Sequence, residues 1–214
     1  MHRPSQVLSL SALLIMTACS PVPAEEEPPE DQSSGLITTI SLNFTPNDGG
    51  EPLSFLWSDP EGDGDPIVDE IPLPDASNHN HHDARTYTLD IEVWNDLEDP
   101  PRDIAADIEE AGEEFQFFFT GSAVEGPATE NNSEAILAHQ YADSDSSGFP
   151  LGLRNDISTL SWGSGQLTVT LRHIPPTDDQ VLKTEELASE VAQGGFDSVD
   201  GESDLQVTFE VEVE

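Results

Sequence analysis

The chain closes on "DLQVTFEVEVE", Asp204 to Glu214, and this stretch decides the fold class. Leu205, Val207, Phe209, Val211 and Val213 occupy every second position, with Gln206, Thr208, Glu210 and Glu212 between them. A strand sends successive side chains to opposite faces, so this period of two predicts a half-buried strand with one wet face. Such a long, regular strand fits an interior or covered position better than a naked edge.

The same reading extends upstream. "TISLNFT" puts Ile40, Leu42 and Phe44 on one face, and "RTYTLDIEVW" does so with Tyr87, Leu89, Ile91 and Val93. "EEFQFFFTG" groups Phe115, Phe117 and Phe119 as core, leaving Phe118 alone on the opposite face, and "QLTVTLRH" alternates Leu167, Val169 and Leu171. "PLSFLW", "DIAADIEE" and "SEAILAHQYA" are further expected strands. Turn signals such as "PNDGG", "PEGDGDP", "DSDSSG" and "WGSG" separate them. One helix is expected, in "KTEELASEVAQGG", with Leu182, Leu187 and Val191 on one face and Gly194 as its stop. Many short strands without alternating helices predict an all-β fold: an antiparallel β-sandwich of immunoglobulin-like architecture with a Greek-key connection and one short helix near the C-terminus. A closed barrel is the alternative.

The N-terminus predicts where the chain travels. Residues 1–18 carry Arg3 and an apolar run from Val7 to Ala18, too short for the roughly 20 residues of a membrane span, so they read as a signal peptide. The run ends Met16-Thr17-Ala18-Cys19, which is similar to a bacterial lipobox whose cysteine is lipidated after cleavage. Cys19 is the only cysteine, so no internal disulfide can form. Residues 19–35 are an acidic, Pro-rich tether with too little apolar surface to fold, and residues 36–214 are one domain's worth of chain. The expected localisation is the outer membrane, held through the N-terminal lipid, on either its periplasmic or its cell-surface side.

The formal net charge is −38, from 44 acidic and 6 basic residues. Arg3 leaves with the signal, so Arg85, Arg102, Arg154, Arg172 and Lys183 remain, too few and too scattered for nucleic acid. The field favours cations. Paired carboxylates carry no information in such a composition.

Several stretches together resemble a family of poorly characterised bacterial envelope lipoproteins often labelled as type 1 periplasmic binding fold superfamily proteins. They are "LWSDPEGDGDP", "YTLDIEVWNDLEDPPRDIAADIEEAGEEFQFFF", "YADSDSSGFPLGL", "GQLTVTLRHIPP" and the terminal strand after Asp200-Gly201-Glu202-Ser203-Asp204. The resemblance spans most of the chain from Leu36 onward and implies a lipid-anchored envelope protein. The label itself implies two α/β lobes, whose βαβ alternation is absent here. Some members have His where this chain has Glu114.

Candidate sites follow from residue chemistry. Three of the six histidines, His79, His81 and His82, fall in "NHNHHD" with Asp83 beside them. Neutral imidazoles suit zinc and related ions, and His139 or His173 would supply a ligand from a second element. The alternative is a solvated polar loop. His173 shares parity with Leu171, which places it at the inward end of its strand, while Arg172 faces away toward a surface carboxylate. Asp59, Asp63 and Asp65 in one loop, and Asp143 and Asp145 in another, offer hard oxygen ligands for calcium. The alternative is that these aspartates bond their own backbone in turns. No G-x-S-x-G, H-E-x-x-H or phosphate-binding glycine loop is present, so no enzymatic motif is read. The function expected is a binding or accessory module, in its sharpest form capturing divalent metal for a neighbouring outer-membrane transporter. The alternative is a structural or adhesive surface lipoprotein.

Overall fold

The alternating terminal stretch forms β12 (Glu202–Val213), which lies inside a sheet between β4 (Ile71–Leu73) and β11 (Gly163–His173). A computed structural model describes residues 35–62, 64–74, 84–177 and 182–214, all within the unit Gln32–Glu214. Strands make up 46% of the structure, which is all-β with two short helices and two sheets.

The smaller sheet runs β4-β12-β11-β7, with β7 spanning Phe115–Thr120. Val207, Phe209 and Val211 stand opposite Val169, Leu167 and Gly165, so the inward set of one strand meets that of the next. The larger sheet includes β1 (Thr39–Pro46), β2 (Leu53–Ser58), β3 (Ile67–Val68), β5 (Thr86–Asn95), β8 (Val124–Glu125), β9 (Leu137–Tyr141) and β10 (Arg154–Thr159). Its order is β3-β2-β1-β5-β10-β9-β8, with β6 (Arg102–Asp103) also paired to β5, and it curls into a half-barrel. Ile40, Leu42 and Phe44 face Val93, Ile91 and Leu89 across β1 and β5. The inward residues of both sheets belong to one core, in which Phe44, Tyr87, Phe117, Phe119 and Phe209 are fully enclosed. Enclosing each such side chain stabilises the fold by roughly 1.5–3 kcal/mol before entropy is counted.

The sheets are not wholly antiparallel. β4 runs parallel to β12, and β8 parallel to β9. Neither β4 nor β10 was expected from the sequence. β10 reads "RNDIST", with only Ile157 as an apolar residue to mark a period of two.

The stretch "DIAADIEE" is a helix and not a strand: α1 covers Ile104–Glu110. Asp103 caps its N-terminus by accepting from the Ala106 amide, and Ile104 and Ile108, four apart, share the buried face. Two apolar residues at this spacing satisfy both periods, and the cap decides for the helix. The expected strand "SEAILAHQYA" begins only at Leu137.

The second helix, α2 (Leu187–Gly194), lies where expected, and Leu187 and Val191 are buried with Leu182 packed against them. Its stop is Gly195, at φ 70, and not Gly194. Phe118 was expected to be an isolated outward side chain. Instead it is fully buried in a second cluster with Ala128, Ile174, Leu187, Ala188, Val191 and Val199. That cluster covers the outer side of β7, which explains why all five residues of "FQFFF" are buried rather than every second one.

Arg172 also departs from expectation. It is only 8% exposed, and its guanidinium donates to the carbonyl oxygens of Phe196, Val199 and Asp200 and to Ser203 Oγ. It therefore ties the segment after α2 to β11, chiefly through main-chain acceptors, and among the described residues it forms no ion pair with a carboxylate. The turn beyond it needs glycine: Gly201 sits at φ 92, and a Cβ there would collide with the His173 carbonyl.

Candidate functional site

The loop between β9 and β10 contains Asp143 and Asp145, and both carboxylates are already engaged. Asp143 accepts from the amides of Gly152 (2.7 Å) and Arg154 (2.8 Å). Asp145 Oδ1 accepts from the amides of Ser147 and Phe149, each at 2.9 Å. Its Oδ2 stands 2.9 Å from Lys183 Nζ, with both side chains fully enclosed. Lys183 completes its set of three donors on the carbonyl oxygens of Gly112 (2.8 Å) and Phe115 (2.7 Å). Burial pushes the Lys183 ammonium below its ordinary range, and Asp145 opposes that effect. Glu113 closes the loop from outside by accepting from Ser146 and Ser147 hydroxyls, which hold its carboxyl below the usual range.

These bonds are those of an Asp-rich turn that organises its own backbone. The sequence motif that suggested calcium is occupied by amide hydrogens and an ammonium group. Beside it a cleft of about 650 Å³ is lined by Asp90, Asp103, Glu109, Asp143, Asp145 and Arg154. Arg154 Nε lies 2.7 Å from Asp90 Oδ1 there.

The other aspartate loop is similar in kind. Asp59, 8% exposed, accepts from the Gly64 amide at 2.8 Å, and its carbonyl receives the Gly62 amide. Asp65 is exposed, and Asp63 lies outside the described residues.

The histidine loop, with His79, His81, His82 and Asp83, also lies outside the described residues. The two histidines expected to support it are described, and the fold does not bring them together. His139 on β9 stacks on Phe119 with ring centroids 4.2 Å apart, and His173 on β11 stacks on Phe115 at 4.7 Å. Phe115 and Phe119 are four residues apart on β7, about 13 Å at the rise of a strand. Each imidazole thus rests on a different phenylalanine of β7. Among the described residues no group of three or more His, Cys, Asp or Glu is assembled as a metal site.

His139 is 1% exposed, and its Nε2 lies 2.9 Å from Asn155 Oδ1. Asn155 Nδ2 donates to the Gly152 carbonyl, so Oδ1 is the acceptor and His139 Nε2 carries the proton. Burial first of all lowers the His139 pKa to about 4, against the partial support of the Asn155 bond, and keeps the ring neutral. Tyr141 packs edge-on against it and donates to the Phe117 carbonyl, and burial pushes its phenol upward. His173 Nε2 is 3.5 Å from Glu114 Oε2.

Lys183 is the residue whose structural role sequence reasoning passed over. Lys183 is the chain's one lysine, immediately ahead of an apolar helical pattern, and that isolation was the available signal. A second cleft of about 650 Å³ runs along β9, lined in part by Glu125, Gly126, Glu130, His139, Gln140 and Tyr141. Comparison of the chain with protein-family models, with curated proteins and with solved structures found no significant match.

Proposed function

We propose that this chain is a lipid-anchored module of the outer membrane that acts through its surface as a structural or adhesive partner. The observation that carries this reading is the engagement of Asp143 and Asp145 by four amides and the buried Lys183, which leaves the Asp-rich loop serving the fold. Capture of a divalent cation such as zinc or calcium for a neighbouring transporter then falls chiefly to His79, His81, His82 and Asp83. We read the two sheets as an immunoglobulin-like sandwich with a Greek-key connection, supported by their shared core. The lipobox at Cys19 and the resemblance to envelope lipoproteins support the same placement.

The test uses the mature protein in cells and in detergent. Replacing Cys19 by Ser should move it from the membrane pellet to the soluble fraction. Calorimetric titration with calcium and then zinc should give no stoichiometric heat. Tight zinc binding that disappears when His79, His81 and His82 are replaced by Ala would overturn the structural reading in favour of metal capture.

A further inference from the structure

Asp145 and Lys183 meet with both side chains fully enclosed, Oδ2 standing 2.9 Å from Nζ. The approach needs glycine beside it: a Cβ on Gly112 would lie 3.1 Å from Asp145 Cβ and press the Asp-rich loop away. Gly112 and Phe115 accept from Nζ through their carbonyl oxygens, at 2.8 and 2.7 Å. Of the three contacts of Nζ, the one to Oδ2 is the least aligned, and Oδ2 takes no well-directed hydrogen bond among the described residues. Oδ1 is held differently, by the amides of Ser147 and Phe149 at 2.9 Å each. One oxygen of the carboxyl is thus fixed by two N–H groups, and the other faces an amine.

These are the parts of an amide-forming site. A lysine amine becomes a nucleophile once it is desolvated and uncharged. Loss of one proton to Oδ2 leaves Nζ with two hydrogens, which match the carbonyls of Gly112 and Phe115, and turns its lone pair toward the Asp145 carboxyl. The two amides on Oδ1 polarise the carbonyl and stabilise the oxyanion that attack creates there. Enclosure holds the reacting groups in contact, and well-oriented pairs reach effective molarities of about 10⁵–10⁸ M. Burial, the largest influence on Lys183, favours the free amine, against the carboxylates of Asp145, Asp143 and Glu113, which hold the proton on. Only pairs in the neutral form react, but each that does is withdrawn from the equilibrium, so the product accumulates.

We propose that Lys183 Nζ and Asp145 Cγ condense into an amide, an autocatalytic cross-link between the Asp-rich loop and the segment before α2. Nζ gives its first proton to Oδ2 and attacks Cγ; the Nζ–Cγ bond forms, and the electron pair of the C=O bond moves onto Oδ1. A second proton passes from Nζ to Oδ2, the Cγ–Oδ2 bond breaks, the carbonyl at Oδ1 re-forms, and Oδ2 leaves as water. The step balances without a co-reactant: one ammonium and one carboxylate become one amide and one water. The amide keeps a single N–H for one of the two neighbouring carbonyls. The bond lost by the other is offset by the removal of two buried charges, whose desolvation is costly. Such a cross-link is independent of where the domain is anchored and of what its surface binds.

The experiment takes the full mature chain, purified in detergent from the cells that make it, and digests it with trypsin after denaturation. Cleavage after Arg102, Arg154, Arg172 and Lys183 releases 103–154, 173–183 and 184–214 as separate peptides from a chain without the cross-link. An acylated Lys183 is no longer a cleavage site. The cross-linked chain should therefore yield 103–154 joined to 173–214, lighter by one water than the two peptides together. Fragmentation in the mass spectrometer should place the bridge at Asp145 and Lys183, which distinguishes it from dehydration of an aspartate within one peptide. Asp145→Ala should abolish the joined species and release the separate peptides, a readout of mass that does not depend on how well the variant folds. Full recovery of 173–183 and 184–214 from the wild type, or a joined species that persists in Asp145→Ala, would overturn the proposal.

Discussion

Lys183 Nζ and Asp145 Oδ2 form an ion pair at 2.9 Å with no solvent exposure at either side chain, joining the segment before α2 to the loop between β9 and β10. Removing one member of such a pair leaves an uncompensated buried charge, which typically costs 3–5 kcal/mol. Lys183→Met should therefore lower unfolding stability by about that amount in urea titration. Asp145→Ala should cost more, because the Ser147 and Phe149 amides lose their acceptor as well. A loss below about 1 kcal/mol for Lys183→Met would mean that the pair does not hold these segments together.

His139 makes stability depend on pH in a defined window. Its ordinary pKa of 6.5 falls to about 4 in the fold, so between these values the unfolded chain binds the proton and the folded one does not. Its contribution is complete above about pH 6.5 and is lost as pH falls toward 4, an effect of about 3 kcal/mol. Many carboxylates titrate in the same range, so the informative quantity is the difference between the wild type and His139→Phe. Their stabilities should draw together as pH is lowered. A His139 ring resonance titrating near pH 6.5 in the folded protein would contradict this.

Arg172 should be essential for the order of the segment that follows α2. Arg172→Met leaves the carbonyls of Phe196, Val199 and Asp200 without their donor, and each buried unsatisfied acceptor costs about 1–3 kcal/mol. Hydrogen exchange of residues 196–203 should accelerate selectively, ahead of exchange in β11. Uniform acceleration across both sheets would instead place Arg172 in the global core.

Phe118→Ala tests the second apolar cluster. Truncating a fully buried phenylalanine costs about 3–5 kcal/mol, whereas an outward-facing one costs a few tenths. The loss should match that of Phe117→Ala, its neighbour in the main core. A near-neutral result would show that α2 does not cover β7 in solution.

The regular strands were legible because a single physical rule governs them. At Leu205 to Val213 and at Tyr87 to Val93, alternation with one wet face leaves only one side to bury, and the structure buries it. The rule loses its power where both faces are covered, and that is why Phe118 read as isolated; β10 was missed because its buried positions hold Asn155 and Thr159 and only Ile157 is apolar. It is ambiguous for short segments with two apolar residues four apart, as at Ile104 and Ile108, where an N-cap decided for the helix.

The candidate ligands divide along the same line. By its composition and local pattern, the sequence determined which residues are chemically able to bind a cation and which strands are half-buried. Whether Asp143 and Asp145 are free was decided by amides and by Lys183, whose sequence separation from Asp145 is 38 residues (183 − 145). Whether His139 and His173 meet was decided by their stacking at opposite ends of β7. Local pattern sets which way a side chain faces, but long-range packing sets what it meets, because partners far apart in sequence leave no periodic trace.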